Sequence, residues 1–150
     1  MKKISGKKLT GERALFQISD AEVTNSIFDD GESPLKHSDS IKVISSSFRY
    51  KYPLWYSNNV EVKDSIFFEL GKSGIWYTNE IKFKNVQIDA PKEFRRCKDI
   101  ELEDVIFTNA AETLWSCSGI KLKNVQAKGD YFAMNSARTL MQTSTEKFSA

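Results

Sequence analysis

All three tryptophans of this chain, Trp55, Trp76 and Trp115, occupy the same place in a recurring pattern, five residues before a short alternating phrase. The full column reads Phe16, Lys36, Trp55, Trp76, Arg95, Trp115 and Met134, and its neighbour reads Gln17, His37, Tyr56, Tyr77, Arg96, Ser116 and Asn135. Trp, Tyr and Arg gathered in one line can do two kinds of chemistry. Aromatic rings with polar groups beside them take up sugar rings or other flat ligands, and guanidinium groups favour acidic or phosphorylated ones. The same residue types are enriched at protein interfaces. A third reading is structural: a loop folded over the line, or a shift of the alternation at a corner. The candidate ligand-binding residues are Trp55, Tyr56, Trp76, Tyr77, Arg95, Arg96 and Trp115.

Catalytic chemistry has thinner support. Glu32, Asp89, Glu93, Glu112 and Asp130 lie near the line, and paired carboxylates can hydrolyse glycosides, but these form no repeated or paired motif. Arg95 and Arg96 could hold an anion or equally pair with Glu93 and Glu112. His37 is the only histidine, so a His-built metal site is not expected. There is no phosphate loop, no Ser-His-Asp arrangement and no G-x-S-x-G. No cofactor, no metal and no catalytic residue is assigned, and the reading leans away from an enzyme.

The elements that must position these residues are set by a repeat. Its copies are Ala21-Glu22-Val23-Thr24-Asn25, Ile41-Lys42-Val43-Ile44-Ser45, Val60-Glu61-Val62-Lys63-Asp64, Ile81-Lys82-Phe83-Lys84-Asn85, Ile100-Glu101-Leu102-Glu103-Asp104 and Ile120-Lys121-Leu122-Lys123-Asn124. Their starts are 20, 19, 21, 19 and 20 residues apart, a period that means one supersecondary unit stacked on itself. Alternation with period two marks strands with two faces. A second apolar stretch ends at Phe28, Phe48, Phe67, Ile88, Phe107 and Ala127, and a third surrounds Leu15, Leu35, Leu54, Ile75, Phe94 and Leu114. Three short strands and three corners close one turn of a coil. The predicted fold is all-β: a right-handed parallel β-helix, a solenoid of about six coils. The leucine-rich consensus, a hexapeptide beat and a helical period are all missing.

Stacking turns each position of the repeat into a column. Glu22, Lys42, Glu61, Lys82, Glu101 and Lys121 alternate in sign, so each charge would lie between opposite ones on strands roughly 4.8 Å away. Asn25, Ser45, Asp64, Asn85, Asp104 and Asn124 suit a sharp left-handed corner. Ile18, Ser38, Ser57, Thr78, Cys97, Cys117 and Ser136 suit a tight inward one, which stacks the two cysteines within disulfide reach. All three columns read as structural.

Lys plus Arg is 22 against Asp plus Glu 20, a net charge of +2, without the basic excess of nucleic-acid binders. No secretory signal or membrane span is legible, so a cytoplasmic location is expected, with free thiols and no membrane partner. The chain reads as one domain over residues 1–150, with coils over about 9–136. Met1 to Leu9 would act as a cap, and residues 137–150 as an incomplete coil, a capping helix or a tail. A homodimer through the C-terminal coil edge is a further expectation.

The segments between the phrases carry a resemblance. Thr10-Gly11-Glu12-Arg13-Ala14-Leu15-Phe16, Asp30-Gly31-Glu32-Ser33-Pro34-Leu35-Lys36, Lys51-Tyr52-Pro53-Leu54-Trp55-Tyr56, Gly74-Ile75-Trp76-Tyr77-Thr78-Asn79, Phe94-Arg95-Arg96-Cys97, Asn109-Ala110-Ala111-Glu112-Thr113-Leu114-Trp115 and Lys128-Gly129-Asp130-Tyr131-Phe132 are the words that carry it. From about Leu9 to Ser136 the chain resembles an uncharacterised bacterial family, a domain of unknown function with a pectate-lyase-like right-handed parallel β-helix. The resemblance implies the fold and no activity.

Together these readings describe a non-enzymatic scaffold whose aromatic and arginine face takes a carbohydrate-like or acidic small molecule. One alternative is a structural or assembly protein using that face or the C-terminal edge. The other is a carbohydrate-active lyase or hydrolase.

Overall fold

The computed structural model describes residues 1–130, 132–133, 137–142 and 147–149, the last two segments by their backbone. The strands are β1 (Lys2–Ser5), β2 (Lys8–Leu9), β3 (Ser19–Thr24), β4 (Ile27–Phe28), β5 (Asp39–Ile44), β6 (Ser47–Phe48) and β7 (Leu54–Trp55). After them come β8 (Asn58–Phe67), β9 (Ile75–Trp76), β10 (Asn79–Ile88), β11 (Lys98–Phe107), β12 (Ser118–Lys128), β13 (Ala137–Gln142) and β14 (Lys147–Ser149). The described residues contain no helix, and none long and apolar enough to cross a membrane.

The phrase strands form one parallel sheet in the order β1-β3-β5-β8-β10-β11-β12-β13, so the chain winds as a β-solenoid of about six turns. The register is the one the repeat requires: Glu22 faces Lys42, Lys42 faces Glu61, Glu61 faces Lys82, Lys82 faces Glu101 and Glu101 faces Lys121. A one-residue slip would turn every apolar side chain of a phrase to solvent, which is why the period holds the pairing. The N-terminal segment adds a rung before the first of the six copies. Its Lys2-Lys3-Ile4-Ser5-Gly6 is itself a degenerate phrase, and Lys3 pairs with Glu22. At the other end β13 and β14 both pair with β12.

The corners follow from backbone chemistry. Asn25, Ser45, Asp64, Asn85, Asp104 and Asn124 all sit at positive φ, between 49° and 55°. Most side chains meet their own carbonyl there, while Asn and Asp bond locally and tolerate it. The amide of Asn85 donates to Asp64 Oδ1 at 2.8 Å, and that of Asn124 to Asp104 Oδ1 at 2.6 Å. From Asn58 onward this corner is mild enough that the first two strands of each coil merge into one of ten or eleven residues.

The interior is a set of stacked columns. Phe28, Phe48 and Phe67 lie face to face, 4.7 and 4.3 Å between centroids, each pair contributing about 0.5–1.5 kcal/mol beyond area burial. Buried hydroxyls and thiols are satisfied by the neighbouring coil. Ser57 donates to the carbonyl of Leu35, Thr78 to that of Leu54, Cys97 to that of Ile75 and Cys117 to that of Phe94. Both thiols are free and buried, and burial pushes the Cys97 thiol up. Ser136, at the end of this column, lies outside the described residues.

Candidate functional site

From Leu54 onward the third apolar stretch forms a narrow second sheet, while around Leu15 and Leu35 it is a turn. Strands β7 and β9 pair Leu54 with Ile75 and Trp55 with Trp76, and single bridges carry the line on from Trp76 to Arg95 and from Arg95 to Trp115. The inward members Leu54, Ile75, Phe94 and Leu114 are fully buried. Alternation then turns Trp55, Trp76, Arg95 and Trp115 outward, where each is half-buried. Met134 and Asn135, the last members of the two columns, lie outside the described residues.

The outward side chains stack on one another. The indoles of Trp55 and Trp76 are parallel within 6°, centroids 5.0 Å apart. The Arg95 guanidinium lies over Trp76 at 4.9 Å and over Trp115 at 5.1 Å, so it is held between two indoles. Tyr56 and Tyr77 form a second parallel pair at 4.8 Å, extended by His37 at 5.3 Å from Tyr56 and by Phe16 edge-on to His37. The indole edges are tied down as well. Trp55 Nε1 donates to the Ser73 carbonyl, and Trp76 Nε1 to the Lys92 carbonyl at 2.9 Å.

This arrangement changes what the strip can do. In-register rings one rung apart use their faces on each other, so Trp76 has no open face for a sugar ring. Exposed along the strip are the edge of the Trp55–Trp76 stack, Tyr56 and Tyr77 (46% and 37% exposed) and the Arg96 side chain. Edges and hydroxyls are hydrogen-bonding and positively polarised groups. Such groups can hydrogen-bond a polar or anionic group.

The charges around the strip agree. Glu93 and Glu112, the open alternatives for pairing with the arginines, do not reach them. Glu112 pairs with Lys92 at 3.6 Å. Glu93 turns inside, fully buried, with Oε1 accepting from the Gly74 amide at 3.0 Å. Burial pushes its carboxyl well above the usual range, and the Gly74 bond offsets part of that. Neither Arg95 nor Arg96 has a carboxylate within ion-pair distance among the described residues. Asp89, another candidate carboxylate, is occupied elsewhere, accepting from Thr108 and Gln87.

The backbone under the strip turns through a further left-handed corner. Gln17, His37, Tyr56, Tyr77, Arg96 and Ser116 all adopt positive φ, between 52° and 63°. The Asn25 column fills the same conformation with Asn, Asp and Ser, which suit it. His shares that tolerance, while Tyr and Arg do not, and left-handed Arg13, Tyr52, Lys92 and Leu114 at other corners show that the coil geometry imposes this conformation whatever the side chain.

One groove was not foreseen from the sequence. It has a volume of about 450 Å³ and lies between Asn59, Glu80, Asp99 and Gly119 on one wall and Glu61, Lys82, Glu101 and Lys121 on the other. The signal for it was the residue immediately before each phrase: Asp20, Ser40, Asn59, Glu80, Asp99 and Gly119 are all left-handed corners that lift the chain beside the charge ladder. Among the described residues no group of three or more potential ligands is placed to hold a metal ion.

Comparison with known proteins adds the family and nothing about its chemistry. A family model described as "Protein of unknown function (DUF3737)" matches residues 2–147. A search of the curated proteins finds no match.

Proposed function

This chain belongs to the DUF3737 family, and we propose that it is a non-enzymatic scaffold whose strip of Trp55, Tyr56, Trp76, Tyr77, Arg95, Arg96 and Trp115 binds an acidic, carbohydrate-like ligand. The observation that carries this reading is the pair of arginines, without carboxylate partners among the described residues, in the middle of a half-exposed aromatic line. Arg95 is immobilised between two indoles before any ligand arrives, so little side-chain entropy remains to be lost on binding. Arg96 beside it is exposed. Two guanidinium groups on adjacent residues match the paired oxygens of a carboxylate, sulfate or phosphate. The phenols of Tyr56 and Tyr77 and the edge of the Trp55–Trp76 stack supply hydroxyl and edge contacts one and two coils away, for a ligand lying along the solenoid axis. The pectate-lyase-like resemblance expected from the sequence is one of fold and lends no activity. Binding is favoured over hydrolysis because Glu93 faces the interior and Glu112 is engaged by Lys92. Buried free thiols agree with a cytoplasmic setting.

Isothermal titration with an oligouronate, a sulfated oligosaccharide and a neutral gluco-oligosaccharide of equal length tests this. An anionic probe should bind, the neutral one should not, and Arg95→Ala with Arg96→Ala should weaken binding at least tenfold, about 1.4 kcal/mol. No anionic binding, or binding indifferent to both arginines, would overturn it. Tyr and Trp edges with Arg are also the composition of protein contacts. A change of oligomeric size in the same double variant, without ligand binding, would instead select the assembly reading.

A further inference from the structure

Glu93 is the one buried residue of charged type among the described residues, at 0% exposure. It shares a column with Pro53, Gly74 and Thr113, each preceding an inward apolar residue of the second sheet. Oε1 accepts the Gly74 amide, while Oε2 is buried with no hydrogen-bond partner. A Cβ built on Gly74 would come within 2.3 Å of Oε2, so the carboxyl fills the space that any side chain at position 74 would need. Gly74 lies two residues before Trp76, and Glu93 two residues before Arg95. Their contact thus joins the coil that carries the indole to the coil that carries its guanidinium.

Among the described residues no cation compensates the carboxyl. The charged groups on the packed coils face outward: Lys72 and Lys92 are exposed, Glu112 pairs with Lys92, and Arg95 lies between indoles. The thiols of Cys97 and Cys117, at the next corner, donate to backbone carbonyls. An isolated carboxylate is strongly disfavoured in such surroundings, and the neutral acid is the form that fits.

We propose that Glu93 is a pH-sensitive latch beneath the aromatic strip: as the neutral acid it joins the Trp76 coil to the Arg95 coil, and on ionising it must leave the interior and loosen that junction. This holds whether or not the strip takes a ligand. The sign follows from linkage. The native state holds this proton more tightly than the unfolded chain, whose glutamates titrate near about 4.3. The stabilisation is fully present below that value. It is lost as pH rises toward the raised native pKa, by about tenfold in the folding constant per pH unit, and is constant above it.

The test compares wild type, Glu93→Gln and Glu93→Thr, threonine being the residue that the column carries one coil on. Denaturant unfolding and tryptophan emission are followed over about pH 4–9. The ratio of wild-type to variant folding constants should fall about tenfold per unit above about pH 4.3, then level off. Wild-type emission should shift over the same range, and both variants should stay flat. If glutamine does not fold, threonine serves alone. Parallel stability profiles in wild type and variants would overturn the proposal. So would a pH-dependent stability difference with unchanged tryptophan emission, because the latch would then not reach the strip.

Discussion

Truncating Trp76 to alanine removes three interactions visible in the structure. It deletes a parallel stack on Trp55 at 5.0 Å, worth about 0.5–1.5 kcal/mol beyond area. It deletes the seat of the Arg95 guanidinium at 4.9 Å, worth about 0.5–1 kcal/mol at a partly exposed site. It deletes the hydrogen bond from Nε1 to the Lys92 carbonyl, worth about 0.5–1.5 kcal/mol net. The loss comes to roughly 1.5–4 kcal/mol, and in a solenoid it falls on the two coil interfaces that the ring touches. For a chain of 150 residues that lowers the melting temperature by roughly 3–16 °C. Thermal melts by far-ultraviolet circular dichroism read it directly. Trp76→Phe is the matched control, because it keeps an aromatic ring in the stack and gives up the Nε1 bond, so it should lose less than alanine. A ring that merely faced solvent would cost almost nothing to remove. A melting temperature for Trp76→Ala within about 1 °C of wild type would therefore refute the stacked-ladder reasoning.

Two further predictions concern the scaffold. Glu61→Lys removes the partner of Lys42, now at 4.0 Å, and places three lysines in successive rungs; a loss of about 0.2–1 kcal/mol per like pair, shrinking as salt is added to urea titrations, is expected. Cys97→Ser should be nearly neutral in urea unfolding while Cys97→Ala is clearly destabilising, because a hydroxyl can donate to the Ile75 carbonyl as Ser57 already does to that of Leu35; equal losses for both would refute a donor role.

The repeat by itself determined the coil, the register and the charge ladder. Every phrase carries its apolar residues at the same two positions, and a strand buried on one face has one acceptable pairing. It also determined the left-handed corners at Asn25 to Asn124, since few residues enter that region cheaply. Lys2 to Gly6 is not legible as a rung because Lys2 stands where the other copies have an apolar residue. The candidate strip was legible as a line, and the pairing of Trp55, Trp76, Arg95 and Trp115 is the one that the spacing implied. What the line could do was decided only in three dimensions. Rings in one column lie about one strand spacing apart, close to ring-stacking distance, so they consume each other's faces and leave edges outward. The direction of Glu93 was beyond sequence for a similar reason. Simple alternation with the inward Phe94 would turn it to solvent, beside the arginines. Lys92 and Phe94 both take positive φ, at 60° and 58°, and this double corner turns two consecutive side chains into the core. Alternation is a property of extended backbone, and where the chain must turn, the neighbouring coils decide which way a side chain goes.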